Sequence, residues 1–77
     1  IGIFYIAPEP GAAPFVEIGS TITAEQSVGL IEVMKVFNMV TAQVSGTVVK
    51  RLAEDGQGVE FGQPLYLVRP DADKDAG

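Results

Sequence analysis

The chain has 77 residues, no cysteine, no histidine and a formal net charge of −5. That length supports one small domain, burying about 60–65% of the surface its unfolded chain would expose. Disulfides, thiolate chemistry, Ser-His nucleophiles and histidine metal sites are excluded by composition, and the negative charge argues against binding a phosphate backbone.

No apolar segment reaches membrane-spanning length and no signal peptide is apparent, so the expected compartment is the cytoplasm. The chain starts at Ile1 rather than Met, as a processed or trimmed domain of a longer protein would. After a first apolar run containing Gly2-Ile3-Phe4 comes Ala7 to Pro14. Its three prolines and a glycine cannot continue a sheet ladder, so an inserted loop is expected there.

From Glu17 the chain repeats itself. Glu17 to Ile31 aligns without gaps on Glu54 to Val68, an offset of 37, with Gln26 on Gln63, Val28 on Leu65 and Leu30 on Leu67. Gly2-Ile3-Phe4 resembles Gly46-Thr47-Val48 at an offset of 44, and the difference of seven residues must lie between Gly2 and Glu17. Each copy reads as a glycine turn, a short strand, a second turn and a longer apolar strand; neither is large enough to bury its own strands, so the two should pack as two sheets. The core is expected from Ile3, Tyr5, Phe15, Ile18, Ile22, Val28, Leu30, Val40, Ala42, Val44, Val48, Leu52, Val59, Leu65 and Leu67. Residues 71–77, polar and acidic, read as a flexible tail. Position 72 matches Lys35 under the repeat, which puts the Lys35 turn and the two termini at opposite ends of the domain.

The stretch Leu30 to Val40 carries the chemistry. Lys35 is the only basic residue among the first 49, flanked by Val33, Met34, Val36 and Phe37. Buried unpaired, its ammonium would cost on the order of several kcal/mol, so the chain must pair it or hold it in water. As a helix, the run would place Glu32, Lys35 and Asn38 at spacing three on a mostly buried element. As strands, Val28 to Val33 and Val36 to Val44 are β-branched segments joined by Met34-Lys35. No capping box precedes the run and Gly29 interrupts it; the strand reading is preferred. Met34-Lys35 is then a poor two-residue turn, since such turns favour Asn-Gly or Gly-Gly. A broken local rule of this kind is expected at a functional site.

The segment G-L-I-E-V-M-K-V-F-N-M-V-T-A-Q-V-S-G-T-V, Gly29 to Val48, resembles the attachment segment of biotinyl domains, the biotin carboxyl carrier family; the resemblance extends from Gly2 to Val68. Of the family pattern Ala-Met-Lys-Met this chain keeps Met34 and Lys35, with Val33 and Val36 at the other two places. The resemblance implies an all-β fold, a flattened β-barrel or sandwich of two four-stranded antiparallel sheets with quasi-two-fold symmetry and the lysine at a hairpin tip. It implies a domain over residues 1–70 with a thumb-like insertion at 7–14. Biotin would be attached to Lys35 through an amide, with Met34, Val36 and Glu32 as the neighbouring cofactor-binding residues, although Glu32 also reads as a plain solvated strand residue.

The implied role is a non-catalytic carrier in fatty acid synthesis. A ureido nitrogen of biotin takes a carboxyl group at an ATP- and bicarbonate-using biotin carboxylase, and delivers it at a carboxyltransferase to an acyl-CoA such as acetyl-CoA. A biotin protein ligase would make the attachment; no metal, nucleic acid or membrane partner is expected. Two alternatives stand beside it. One is a lipoyl carrier of a dehydrogenase or glycine-cleavage complex, although lipoyl turns usually read Asp-Lys-Ala. The other is an unmodified β-domain that binds a protein partner through its hydrophobic tip.

Overall fold

The computed structural model describes residues 1–71, which form seven strands and no helix. The strands are β1 (Gly2–Tyr5), β2 (Thr21–Ile22), β3 (Ser27–Val33), β4 (Val36–Thr41), β5 (Gly46–Arg51), β6 (Gln57–Val59) and β7 (Tyr66–Pro70). They build two antiparallel sheets, ordered β4-β3-β1-β6 and β2-β5-β7. The β-branched run that makes helix unfavourable supplies β3 and β4. The second strand of that pair ends at Thr41, short of the expected Val44, because Gln43 turns out of the ladder at φ 61° and donates its N–H to the Ala24 carbonyl at 2.7 Å.

The repeat dictates the topology. At its two offsets β1 corresponds to β5, β2 to β6 and β3 to β7. In one sheet β1 sits between β3 and β6; in the other β5 sits between β7 and β2. The halves therefore exchange their short strands, which ties the two sheets together. The turns are duplicated bond for bond. Thr23 N–H donates to Gln26 Oε1 at 3.3 Å and Glu60 N–H to Gln63 Oε1 at 3.1 Å. Gly19 N–H reaches the Val48 carbonyl at 2.8 Å, and Gly56 N–H the Phe4 carbonyl at 2.6 Å. Both glycines hold positive φ, 94° and 80°, where a side chain would be strained.

The second sheet was expected to hold four strands and has three among the described residues. The acidic tail beyond Asp71, and position 72 with it, lies outside the described residues.

The core obeys the same symmetry. Val16, Ile22, Val28 and Val48 form one cluster; Ala53, Val59 and Phe4 form the other with Leu65 packed against them, each residue the mate of one in the first. Tyr66 touches both clusters. Its ring meets Phe4 edge-on at 5.9 Å, and its hydroxyl donates to the Val28 carbonyl at 2.9 Å, which satisfies the polar tip of a half-buried ring.

Ile22, Val28, Val48 and Val59 are buried as expected, but Phe4, Val16 and Ala53 replace the expected Ile3, Tyr5, Phe15 and Leu52. Each miss is a slip of one residue. In Ile3-Phe4-Tyr5, Phe15-Val16 and Leu52-Ala53 all neighbours are apolar, so alternation does not set which face they take, and a one-residue slip inverts the face. Leu67 and Ile18 are likewise corrected, being 49% and 59% exposed.

The termini are not both remote from the Lys35 turn. Gly2 lies beside the end of β3, where an added Cβ would come within 2.9 Å of Val33 Cγ2. The end of β7 is at the foot instead: β4 runs away from the turn to Thr41, and Gly46, which opens β5, pairs with Pro70. The expectation fails for the first residue because β1 starts level with the last residues of β3.

Candidate functional site at the hairpin tip

Strands β3 and β4 pair from Ser27↔Thr41 to Val33↔Val36, leaving Met34 and Lys35 as a two-residue loop. Both take positive φ, 52° and 67°, the signature of the I′ turn whose twist matches that of the flanking strands. Holding two non-glycine residues there costs on the order of 1 kcal/mol each, a cost that the long ladder below offsets. Lys35 is exposed, Met34 is 90% exposed and Val36 59% exposed. Among the described residues no carboxylate or other side chain hydrogen-bonds or ion-pairs with Lys35. Its ε-amine is thus presented to solvent on a rigid stem. The groups at the turn offer one nucleophile and no base to serve it.

Glu32 lies one pair below. It is partly buried on the outer face of the four-stranded sheet, and its Oε1 accepts the Tyr5 hydroxyl at 3.1 Å. That bond is the largest cause of a raised Tyr5 pKa, since ionising the phenol would break it and place two anions side by side; partial burial and the charge of Asp55 act in the same direction. Tyr5 in turn leans on Phe37, with ring centroids 6.3 Å apart. The sequence pattern does not reveal this link, because it depends on the register Ile3↔Glu32 and Tyr5↔Leu30 between strands 27 residues apart.

The loop Ala7–Pro14 carries no strand. It is closed at its base by Phe15 N–H donating to the Ile6 carbonyl at 2.8 Å, and Asp55 Oδ1 accepts the Ile6 N–H at 2.9 Å. Between this loop and Tyr5, Leu30 and Phe37 of the sheet lies a groove of about 460 Å³. The structure thus gathers Lys35, Met34 and Val36 at the tip and sets Glu32 on the stem. The described residues hold no cluster of acids fit for a metal ion and no helix long and apolar enough to cross a membrane.

The family model described as "Biotin-requiring enzyme" matches residues 1–68. The chain is 48% identical over 71 residues to the biotin carboxyl carrier protein of acetyl-CoA carboxylase from Nostoc sp., covering 92% of this chain and 39% of that protein. It is 43% identical over 68 residues to the protein of the same name from Pseudomonas aeruginosa, covering 88% of this chain and 44% of that one. With a chloroplastic counterpart from Arabidopsis thaliana it shares 44% identity over 69 residues, 90% of this chain and 27% of that one. The chain spans less than half the length of these curated relatives. With a matching family model along nearly its whole length and a lone exposed lysine on a strained hairpin turn, the chain belongs to the biotin/lipoyl family of biotin-requiring enzymes.

Proposed function

We propose that residues 1–70 form a biotin carrier domain, with biotin joined through an amide to Nζ of Lys35. The observation that carries this reading is the Met34-Lys35 turn: two residues in a backbone conformation that favours glycine, holding in solvent an amine that has no partner among the described residues. The chemistry fits. A primary amine accepts an activated biotin carboxyl, forming the amide as the amine loses its proton. Because the described residues place no base beside Lys35, removing that proton falls to a biotin protein ligase. When bound, biotin supplies a ureido nitrogen able to carry a carboxyl group.

The protein's own contribution is position. The β3–β4 ladder fixes the tip, Met34 and Val36 give the ligase and the carboxylase partners an apolar contact on each side of the amine, and Glu32 gives them an anchored charge on the stem. The domain would carry a carboxyl group from a biotin carboxylase to a carboxyltransferase for acetyl-CoA carboxylation in fatty acid synthesis, as a cytoplasmic, non-catalytic component; the relatives' names, biotin carboxyl carrier protein of acetyl-CoA carboxylase, support the carrier role in that carboxylation. The loop at 7–14 is the thumb of this reading. Tethering converts a search through solution into a local one at effective concentrations on the order of mM.

The test is intact mass after incubation with a biotin ligase, ATP and biotin. One biotinyl increment is expected, and none for Lys35→Arg, which keeps the charge but offers no acylable amine. A lipoyl increment from a lipoyl ligase in place of biotin, or biotinylation that persists in Lys35→Arg, would overturn the assignment.

A further inference from the structure

The oxidisable sulfur of this chain is confined to one hairpin. Composition gives two methionines, no cysteine and no tryptophan; Met34 is the first turn residue and Met39 lies five residues on in β4, opposite Leu30. Their surroundings differ. Met34 is 90% exposed and lies next to Lys35, outside the ladder, whereas Met39 is 55% exposed and lies within it, paired with Leu30.

We propose that Met34 is a peroxide-sensitive modification site whose oxidation impedes acylation of Lys35. In this reaction a peroxide O–O bond breaks and one oxygen forms an S=O bond on the Met34 thioether. The sulfur is oxidised by two electrons and the peroxide is reduced to water or an alcohol. The product exchanges a flexible apolar side chain for a polar, chiral one. In the free domain this costs little, because Met34 is in solvent. An enzyme acting on Nζ of Lys35 must enclose the adjoining side chain, and burying a sulfoxide dipole there is unfavourable. The site is thus placed where oxidation leaves the fold intact and alters what a partner meets. Methionine sulfoxide reductases can reverse it.

This inference rests on the carrier reading, and one experiment separates the two. The purified domain is treated with a limiting dose of hydrogen peroxide, mapped by peptide mass, and given to a biotin ligase with ATP and biotin. Oxidation is expected at Met34 before Met39, with an unchanged circular dichroism spectrum and an initial biotinylation rate lower by about fivefold or more. Methionine sulfoxide reductase should restore the rate, and a Met39→Leu variant should stay just as sensitive. Oxidation of Met39 first, or equal rates before and after oxidation of Met34, would overturn the proposal. An untreated domain that takes up no biotin would overturn the carrier reading, while the order of oxidation would still test this one.

Discussion

A Cβ added to Gly29 would lie 2.5 Å from Cε1 of Phe4, a ring with no exposed surface. Under the repeat, the mate of Gly29 is Tyr66 and the mate of Phe4 is Val48. The two halves fill equivalent space with different choices, a large Phe4 facing no side chain at Gly29 in one and a smaller Val48 matched with a large Tyr66 in the other. Gly29 is therefore fixed by volume. Gly29→Ala should destabilise the domain by about 1–3 kcal/mol, and for a domain of this size each kcal/mol lowers Tm by roughly 4–8 °C. Thermal unfolding followed by circular dichroism measures this, and shortening the ring with Phe4→Leu should recover part of the loss in the Gly29→Ala background. A Gly29→Ala protein with wild-type Tm would show that Phe4 is not confined as described.

The turn presents the opposite case, where function opposes stability. Lys35 holds φ 67° in the position that an I′ turn gives to glycine. Lys35→Gly should stabilise the hairpin by about 1 kcal/mol through relief of that strain, less the entropy glycine adds to the unfolded chain. The same change removes the amine and with it all biotin uptake. A rise in the urea midpoint with no change in slope is the expected result; a fall would mean that the turn is not strained at Lys35.

How far these features could be read in advance depended on what each residue competes with. The Lys35 hairpin was legible because a single charge in an apolar run leaves few placements, and the repeat was legible because Gln26 and Gln63 mark equivalent turns. The phase of β1 was not, since Ile3, Phe4 and Tyr5 are all apolar and only packing against Gly29 and Tyr66 selects Phe4 for the interior. The Tyr5–Glu32 bond was hidden for a related reason: it follows from the register of β1 on β3, which no local pattern encodes. The position of Gly2 beside Val33 is set by that same register.

Alkaline pH should weaken the fold through Tyr66. Burial raises the pKa of its phenol above the ordinary value near 10, with the Arg51 charge opposing in part. A folded-state pKa above the unfolded one means that the folded protein retains its proton longer. The stabilisation is fully present below about pH 10 and is lost as pH rises through the folded value. Urea midpoints should be flat across neutral pH and fall above about pH 10. Tyr66→Phe should be less stable at pH 7, having lost the bond to the Val28 carbonyl, and should show a shallower alkaline decline. An equally steep decline in that variant would move the effect to another group.

Duplicate turns should have matching energetics. The Gln26 and Gln63 side chains each accept one backbone N–H, from Thr23 and Glu60, and each residue's own N–H donates back to the carbonyl of that same partner at 3.1 Å. Removing one side-chain acceptor returns an exposed N–H to water, so Gln26→Ala and Gln63→Ala should each cost about 0.5–1.5 kcal/mol. Because the two turns belong to different repeats and share no hydrogen-bond partner, the double variant should lose the sum to within about 0.5 kcal/mol. Urea unfolding of the two single variants and the double variant tests both statements. A large cost at one turn and none at the other would show that the repeat is preserved in backbone geometry but not in energy.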